Sequence, residues 1–164
     1  MRTQLRALSI ALAFLTLLPT PVTLAASPRE DGRSLVYFPL VGLIIGSLLA
    51  AASIAVQGLA PMLAAVVVLA LWAGLTGALH LDGLADSADA WLGGIGDRDR
   101  TLAIMKDPHC GAIAVVVLVL VLLSKFVALA QLLPDGRWQM LVAAPLLARG
   151  ALVTDEAGAM ELAG

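Results

Sequence analysis

Asp82, Asp86 and Asp89, in the stretch HLDGLADSADAWLGG, are the residues of this chain best spaced to do chemistry. They recur at i, i+4 and i+7, so at about 100° per residue they share an arc of roughly 60° on one helix face. The residues between them, Gly83, Ala85, Ser87 and Ala88 among others, are small. Like charges one turn apart destabilise a bare helix by about 0.2–0.5 kcal/mol per pair, so the stripe needs compensation. A divalent cation would supply it, because hard cations take carboxylate oxygens and bridge them to substrate phosphates. Water over an open helix face would supply it too. Spacing alone leaves both readings standing.

The residues around the stripe fit a phosphate-handling site without requiring one. Gly93, Gly94 and Gly96 allow tight turns and close approach of a ligand, or they simply stop a helix. Arg98, Arg100 and Lys106 suit phosphate oxygens, and equally suit a cytoplasmic anchoring role. The window from His80 to Gly111 holds six acids, Asp107 among them, against those three bases, so a phosphate would need a metal to approach. His80 is a candidate base or ligand, or a structural histidine at the end of a span. It lies roughly opposite Asp82 if the helix is continuous.

The surrounding elements must be membrane helices. No Asp, Glu, Lys or Arg occurs from Ser34 to Leu81, a run of 48 residues in a chain that is 60% hydrophobic. A single helix of that length would far exceed a bilayer core of about 30 Å, so the run must cross twice. The break belongs at QGLAP, residues 57 to 61, where Gly58 and Pro61 interrupt helical continuity. The expected architecture is an all-α integral membrane protein, a polytopic transmembrane helix bundle with a cytoplasmic acidic catalytic segment. It forms one membrane domain, 1-164. Within it lie an N-terminal membrane-associated segment at 1-33, spans at 36-56 and 62-80, and the acidic segment at 80-111. A third span follows at 112-133, then a weak one at 138-153 that carries Arg149, and a tail at 154-164. Lys125, inside the third span, either joins a polar network or snorkels. Gly42 and Gly46 in GLIIG have the spacing that lets helices pack closely.

Orientation follows from the basic residues. Arg2, Arg6, Arg29, Arg33, Arg98, Arg100 and Lys106 fall on one side by alternation and Arg137 on the other, which places the acidic segment in the cytoplasm. The N-terminal stretch MRTQLRALSIALAFLTLLPTPVTLAA reads equally as a secretory signal or as a short membrane-associated helix stopped by Pro19 and Pro21. A net charge of -2 gives no reason to expect nucleic acid. One cysteine, Cys110, excludes an internal disulfide.

HLDGLADSADAWLGG followed by DRDRTLAIMKDPHCG resembles the central motif of the cobalamin synthase family, the adenosylcobinamide-GDP ribazoletransferases of bacteria and archaea. FLTLLPTP at 14 to 21 and YFPLVGLIIG at 37 to 46 are similar to that family's N-terminal pattern in order and spacing, and the resemblance covers most of residues 5 to 150. It favours a retained N-terminal segment over a cleaved signal. Family members continue with further hydrophobic spans, so the chain is expected to be a short or C-terminally truncated member.

The resemblance implies a bacterial inner-membrane enzyme joining adenosylcobinamide-GDP to alpha-ribazole, or its 5'-phosphate, with release of GMP and a requirement for Mg2+. It assigns Asp82, Asp86 and Asp89 to Mg2+, one of them doubling as general base, with His80 a further catalytic candidate. Gly93, Gly94, Arg98, Arg100 and Lys106 are assigned to the substrate, and Asp107 is either an acid behind the ligands or a further ligand. Membrane lipids are the other expected partners, and a homo-oligomer is compatible with the sequence. A CDP-alcohol-type phosphotransferase of lipid synthesis shares the D-G-x-x-D-x-x-D core but not the rest of its pattern. A cation-binding transporter or scaffold is the non-enzymatic alternative, and it would place its acids at mid-membrane depth.

Overall fold

Pro61 and Gly77 bracket a helix of only 16 residues, and that short helix sets the direction of the acidic stripe. The computed structural model describes residues 2–20, 32, 34–105 and 109–162, with side chains for 4–20, 32, 34–105 and 109–154. Every described element is helical: α1 (Arg2–Leu15), a 3₁₀ turn (Leu35–Tyr37), α2 (Phe38–Ala55), α3 (Pro61–Thr76), α4 (Leu79–Gly93), α5 (Arg98–Ile104), α6 (Ala112–Leu132) and α7 (Trp138–Leu162). Leu35–Ala55 and Ala112–Leu132 are each long and apolar enough to cross a membrane, and α3 with α4 adds a third candidate if the bent pair counts as one span. Only 11% of the most apolar window of α6 is buried within the bundle, so its Val and Leu side chains face outward as lipid-facing ones do.

The expected span at 62-80 stops four residues early. Gly77 and Ala78 both take left-handed backbone angles, with φ of 59° and 54°. Ala78 N–H bonds the Ala73 carbonyl and Gly77 N–H the Gly74 carbonyl, the paired bonds of a Schellman helix end. The chain restarts as α4 after a bend of 84°. At about 1.5 Å per residue α3 is roughly 24 Å long, short of a full hydrocarbon core. Leu17 occupies the space beside Gly77, where a Cβ would come within 2.9 Å of its side chain. Leu17 N–H also bonds the Leu75 carbonyl. The FLTLLPTP stretch thus holds the end of α3.

The N-terminal helix belongs to the bundle. Ala11 and Leu15 of α1 share one buried cluster with Phe38, Val41, Ile45 and Leu49 of α2, Ala65 and Val68 of α3, Leu129 of α6 and Leu141 of α7. Phe14 stacks on Phe38 with ring centroids 6.0 Å apart.

The weak span and the described part of the tail are one element, because α7 runs from Trp138 through Pro145 to Leu162, with 163 and 164 outside the described residues. Its partner is the GLIIG face of α2. A Cβ on Gly42 would lie 2.6 Å from the Pro145 carbonyl oxygen, and one on Gly46 2.7 Å from the Val142 Cα. The Leu141 carbonyl, whose usual helical donor Pro145 lacks, also faces Gly46. The glycine spacing therefore serves the packing expected of it, and α7 is what it packs.

Candidate functional site

The acidic helix α4 lies along α6 in the opposite chain direction. Its far end meets the start of α6 where Asp89 binds Gly111, and its near end meets Lys125 through His80. The acids are therefore carried on a helix packed lengthwise against a candidate span. They do not project from the bundle on a free loop.

One face of α4 lines a cavity of about 420 Å³ that contains Asp82, Asp86, Leu81 and Ala85. The Gly77–Ala78 turn closes one side, and His109, Cys110 and Leu118 supply another. Asp82 is exposed and Asp86 is half-buried, so two carboxylates one turn apart look into the same space. A further cavity of about 290 Å³, at the turns joining α2 to α3 and α6 to α7, has no ionisable side chain in its lining.

Asp89 has a different task. Its Oδ2 accepts the Gly111 N–H at 2.5 Å and its Oδ1 accepts the Ala114 N–H at 3.0 Å. Gly111 is the N-cap of α6 and has no side chain to cap with, so Asp89 satisfies two of the helix's orphan donors from 22 residues away. Its negative charge also suits the positive end of the helix dipole. A Cβ at Gly111 would lie 2.6 to 2.8 Å from the Asp89 carboxylate atoms, so a larger residue there would displace the carboxylate. Among the described residues, no three His, Cys, Asp or Glu side chains converge as a metal cage would need. The stripe expected to act as a trio is divided in this structure into a cavity pair and a helix cap.

The glycines after the stripe are filled by protein. A Cβ on Gly93 would lie 2.7 Å from Ile104 Cδ1, and one on Gly94 2.7 Å from Thr101 Cα. Thr101 Oγ1 donates to the Gly94 carbonyl at 3.0 Å. These positions let α5 fold back on α4. Asp97 caps α5 by accepting the Arg100 N–H at 3.0 Å, and the Arg98 and Arg100 side chains are exposed at the far end of α4. Lys106 and Asp107 lie outside the described residues.

His80 turns away from the acids, as a two-residue offset on a helix requires. Its Nε2 is 3.0 Å from Lys125 Nζ and its Nδ1 is 3.5 Å from Thr76 Oγ1. A protonated lysine has no lone pair to offer, so Nε2 accepts and Nδ1 carries the ring proton. Lys125 Nζ also sits 4.7 Å from the Trp72 ring centroid, a cation–π contact. Lys125 therefore belongs to a polar network inside the bundle, and Arg149 of α7 lines the same cavity. Sequence reasoning used Arg149 only as a mark against a span and gave Trp72 and His109 no role. An arginine inside an apolar helix was the available signal for Arg149. His109 gave no signal, since it lies 23 residues from Asp86 in sequence.

Residues 7–155 match the family described as cobalamin-5-phosphate synthase. The chain is 57% identical over 152 residues to the adenosylcobinamide-GDP ribazoletransferase of Pseudomonas aeruginosa strain UCBPP-PA14, covering 93% of this chain and 62% of that protein. It is 58% identical over 146 residues to the protein of the same name from Stutzerimonas stutzeri strain A1501, covering 89% of this chain and 60% of that one. The chain spans about three fifths of the length of these curated relatives. No solved structure matches it. The matched residues begin within α1, end within α7 and take in both the acidic cavity and the Lys125 network, and the chain belongs to the cobalamin-5-phosphate synthase family.

Proposed function

We propose that this chain is the part of a membrane-bound ribazoletransferase that carries its acidic site. In this reading the enzyme joins adenosylcobinamide-GDP to alpha-ribazole, or its 5'-phosphate, at the cytoplasmic side of a bacterial inner membrane. The relatives' shared name supports the reaction. The observation that carries the site is the pair Asp82 and Asp86 on one wall of a 420 Å³ cavity.

The pair suits Mg2+, which commonly takes one or two carboxylates and completes its shell with water and substrate phosphate. When bound, the ion would neutralise charge on the phosphates during transfer. Asp82 and Asp86 would hold it. Asp89 would act by position, fixing α4 against the start of α6 so that the pair keeps its place. A ribazole hydroxyl oxygen forms a bond to the phosphorus next to cobinamide while the bond from that phosphorus to the GMP oxygen breaks. The hydroxyl proton passes to a carboxylate oxygen of Asp82 or Asp86, and GMP leaves with its own phosphate. Arg98 and Arg100, at the start of α5, would draw in the nucleotide's phosphates from the aqueous side.

Purified chain incubated with adenosylcobinamide-GDP, alpha-ribazole and Mg2+ should release GMP in step with formation of the joined product. Release of CMP from a CDP-alcohol, with none of GMP, would replace this reading with a lipid phosphotransferase.

A further inference from the structure

The other side of α4 holds a second cavity of about 270 Å³, lined by Ile45, Trp72, Thr76, His80, Lys125, Ala144, Pro145, Ala148 and Arg149. It contains two cationic side chains, both half-buried, from two different helices. Among the described residues neither is paired with a carboxylate: Asp82 and Asp86 of α4 line the other cavity and Asp89 caps α6. His80 uses its Nε2 on Lys125 and brings no negative charge. Two like charges in an apolar bundle repel one another and lose hydration, a cost that a counter-charge would offset.

We propose that this cavity is an anion site that binds the dianionic head of a phosphomonoester, separate from the acidic cavity. The charge count favours this chemistry, since a phosphomonoester carries about -1.5 to -2 near neutral pH against the two cations. The Arg149 guanidinium offers a planar fork of donors and Lys125 a point charge, a pairing suited to phosphate oxygens. The remaining walls, Ile45, Trp72, Pro145 and the two alanines, are apolar and accept a hydrophobic group attached to the phosphate. The volume is below the roughly 300–1,000 Å³ of sites that enclose a drug-sized ligand, so it fits a head group better than a whole nucleotide. The inference does not rest on the transferase reading, because binding here requires no turnover.

Trp72 makes the test direct. Trp91 and Trp138 are the only other tryptophans, and Trp91→Phe with Trp138→Phe leaves a single reporter 4.7 Å from Lys125 Nζ. In dodecyl maltoside, which contains no phosphate, fluorescence is followed while inorganic phosphate is added, and separately dioctanoyl phosphatidic acid. Saturation with inorganic phosphate assigns the site to a soluble phosphate. Saturation with phosphatidic acid alone assigns it to a lipid head group. Both outcomes support the proposal. Lys125→Met and Arg149→Gln should each weaken the apparent affinity about tenfold or more, while Lys125→Arg keeps it near the starting value. No saturable change with either probe overturns the proposal, as does an equal response to potassium chloride at matched ionic strength. The unsubstituted binding residues thus decide the matter even if a variant fails to fold.

Discussion

Asp89 and Gly111 are 22 residues apart in the chain, yet the carboxylate of one holds the backbone N–H of the other at 2.5 Å. The contact ties the far end of the acidic helix to the first turn of α6, and it separates the acid that caps α6 from the two that face the cavity.

Asp89→Ala should therefore act on stability first. Losing an N-cap acceptor costs about 0.5–2 kcal/mol, and the variant should unfold at a lower temperature in detergent. Its Mg2+ affinity, measured calorimetrically on folded protein, should stay within about twofold of the original, an interval of under about 0.5 kcal/mol. A collapse of metal affinity with unchanged melting would return Asp89 to the metal ligands.

Asp86→Asn should show the opposite pattern. Asparagine is nearly isosteric, so folding is kept, and removing one of two like charges a turn apart relieves a few tenths of a kcal/mol. Mg2+ affinity and GMP release should fall together, turnover by roughly two to three orders of magnitude for about 3–4 kcal/mol of lost transition-state stabilisation. Unchanged turnover at limiting Mg2+ would remove Asp86 from the site.

Gly46→Ala places a Cβ 2.7 Å from the backbone of Val142, where no side chain can move aside. Overpacking of this kind costs about 1–3 kcal/mol, and α7 should loosen from α2. Gly58→Ala, which meets nothing within 4 Å, is the matched control and should melt near the unsubstituted protein. Equal melting of the two variants would show that α2 and α7 do not pack this closely in the membrane.

Ser87 is exposed on α4 and reports which side the acidic helix faces. Cys110 is also exposed, so the probe is Ser87→Cys in a Cys110→Ser background. A membrane-impermeant maleimide should label it only after the inner membrane is opened. Labelling in intact spheroplasts would reverse the orientation.

The helices were legible in the sequence wherever one local signal decided them. The charge-free run and the QGLAP break gave α2 and α3, and GLIIG announced a close helix contact. Gly77 was the exception, since a glycine in a long apolar run reads as tolerated until Leu17 is seen packed beside it. A short apolar stretch and Arg149 made α7 look weak, because the face of α2 it packs on is about a hundred residues away. The stripe was found by its spacing, but a helical wheel cannot say that one end of the arc reaches Gly111 and the other opens to a cavity. Only the antiparallel register of α4 on α6 separates them, and no local pattern encodes that register.

The docking of α7 onto α2 also imposes an order in time. The acidic cavity draws only on residues up to Leu118, whereas the basic one waits for Arg149, 24 residues after Lys125. At about 5–20 residues per second on the ribosome, Arg149 is added roughly 1–5 s after Lys125. In the finished bundle Lys125 meets Trp72 and His80, both earlier in the chain, so its first neighbours precede it and only the second cation follows it.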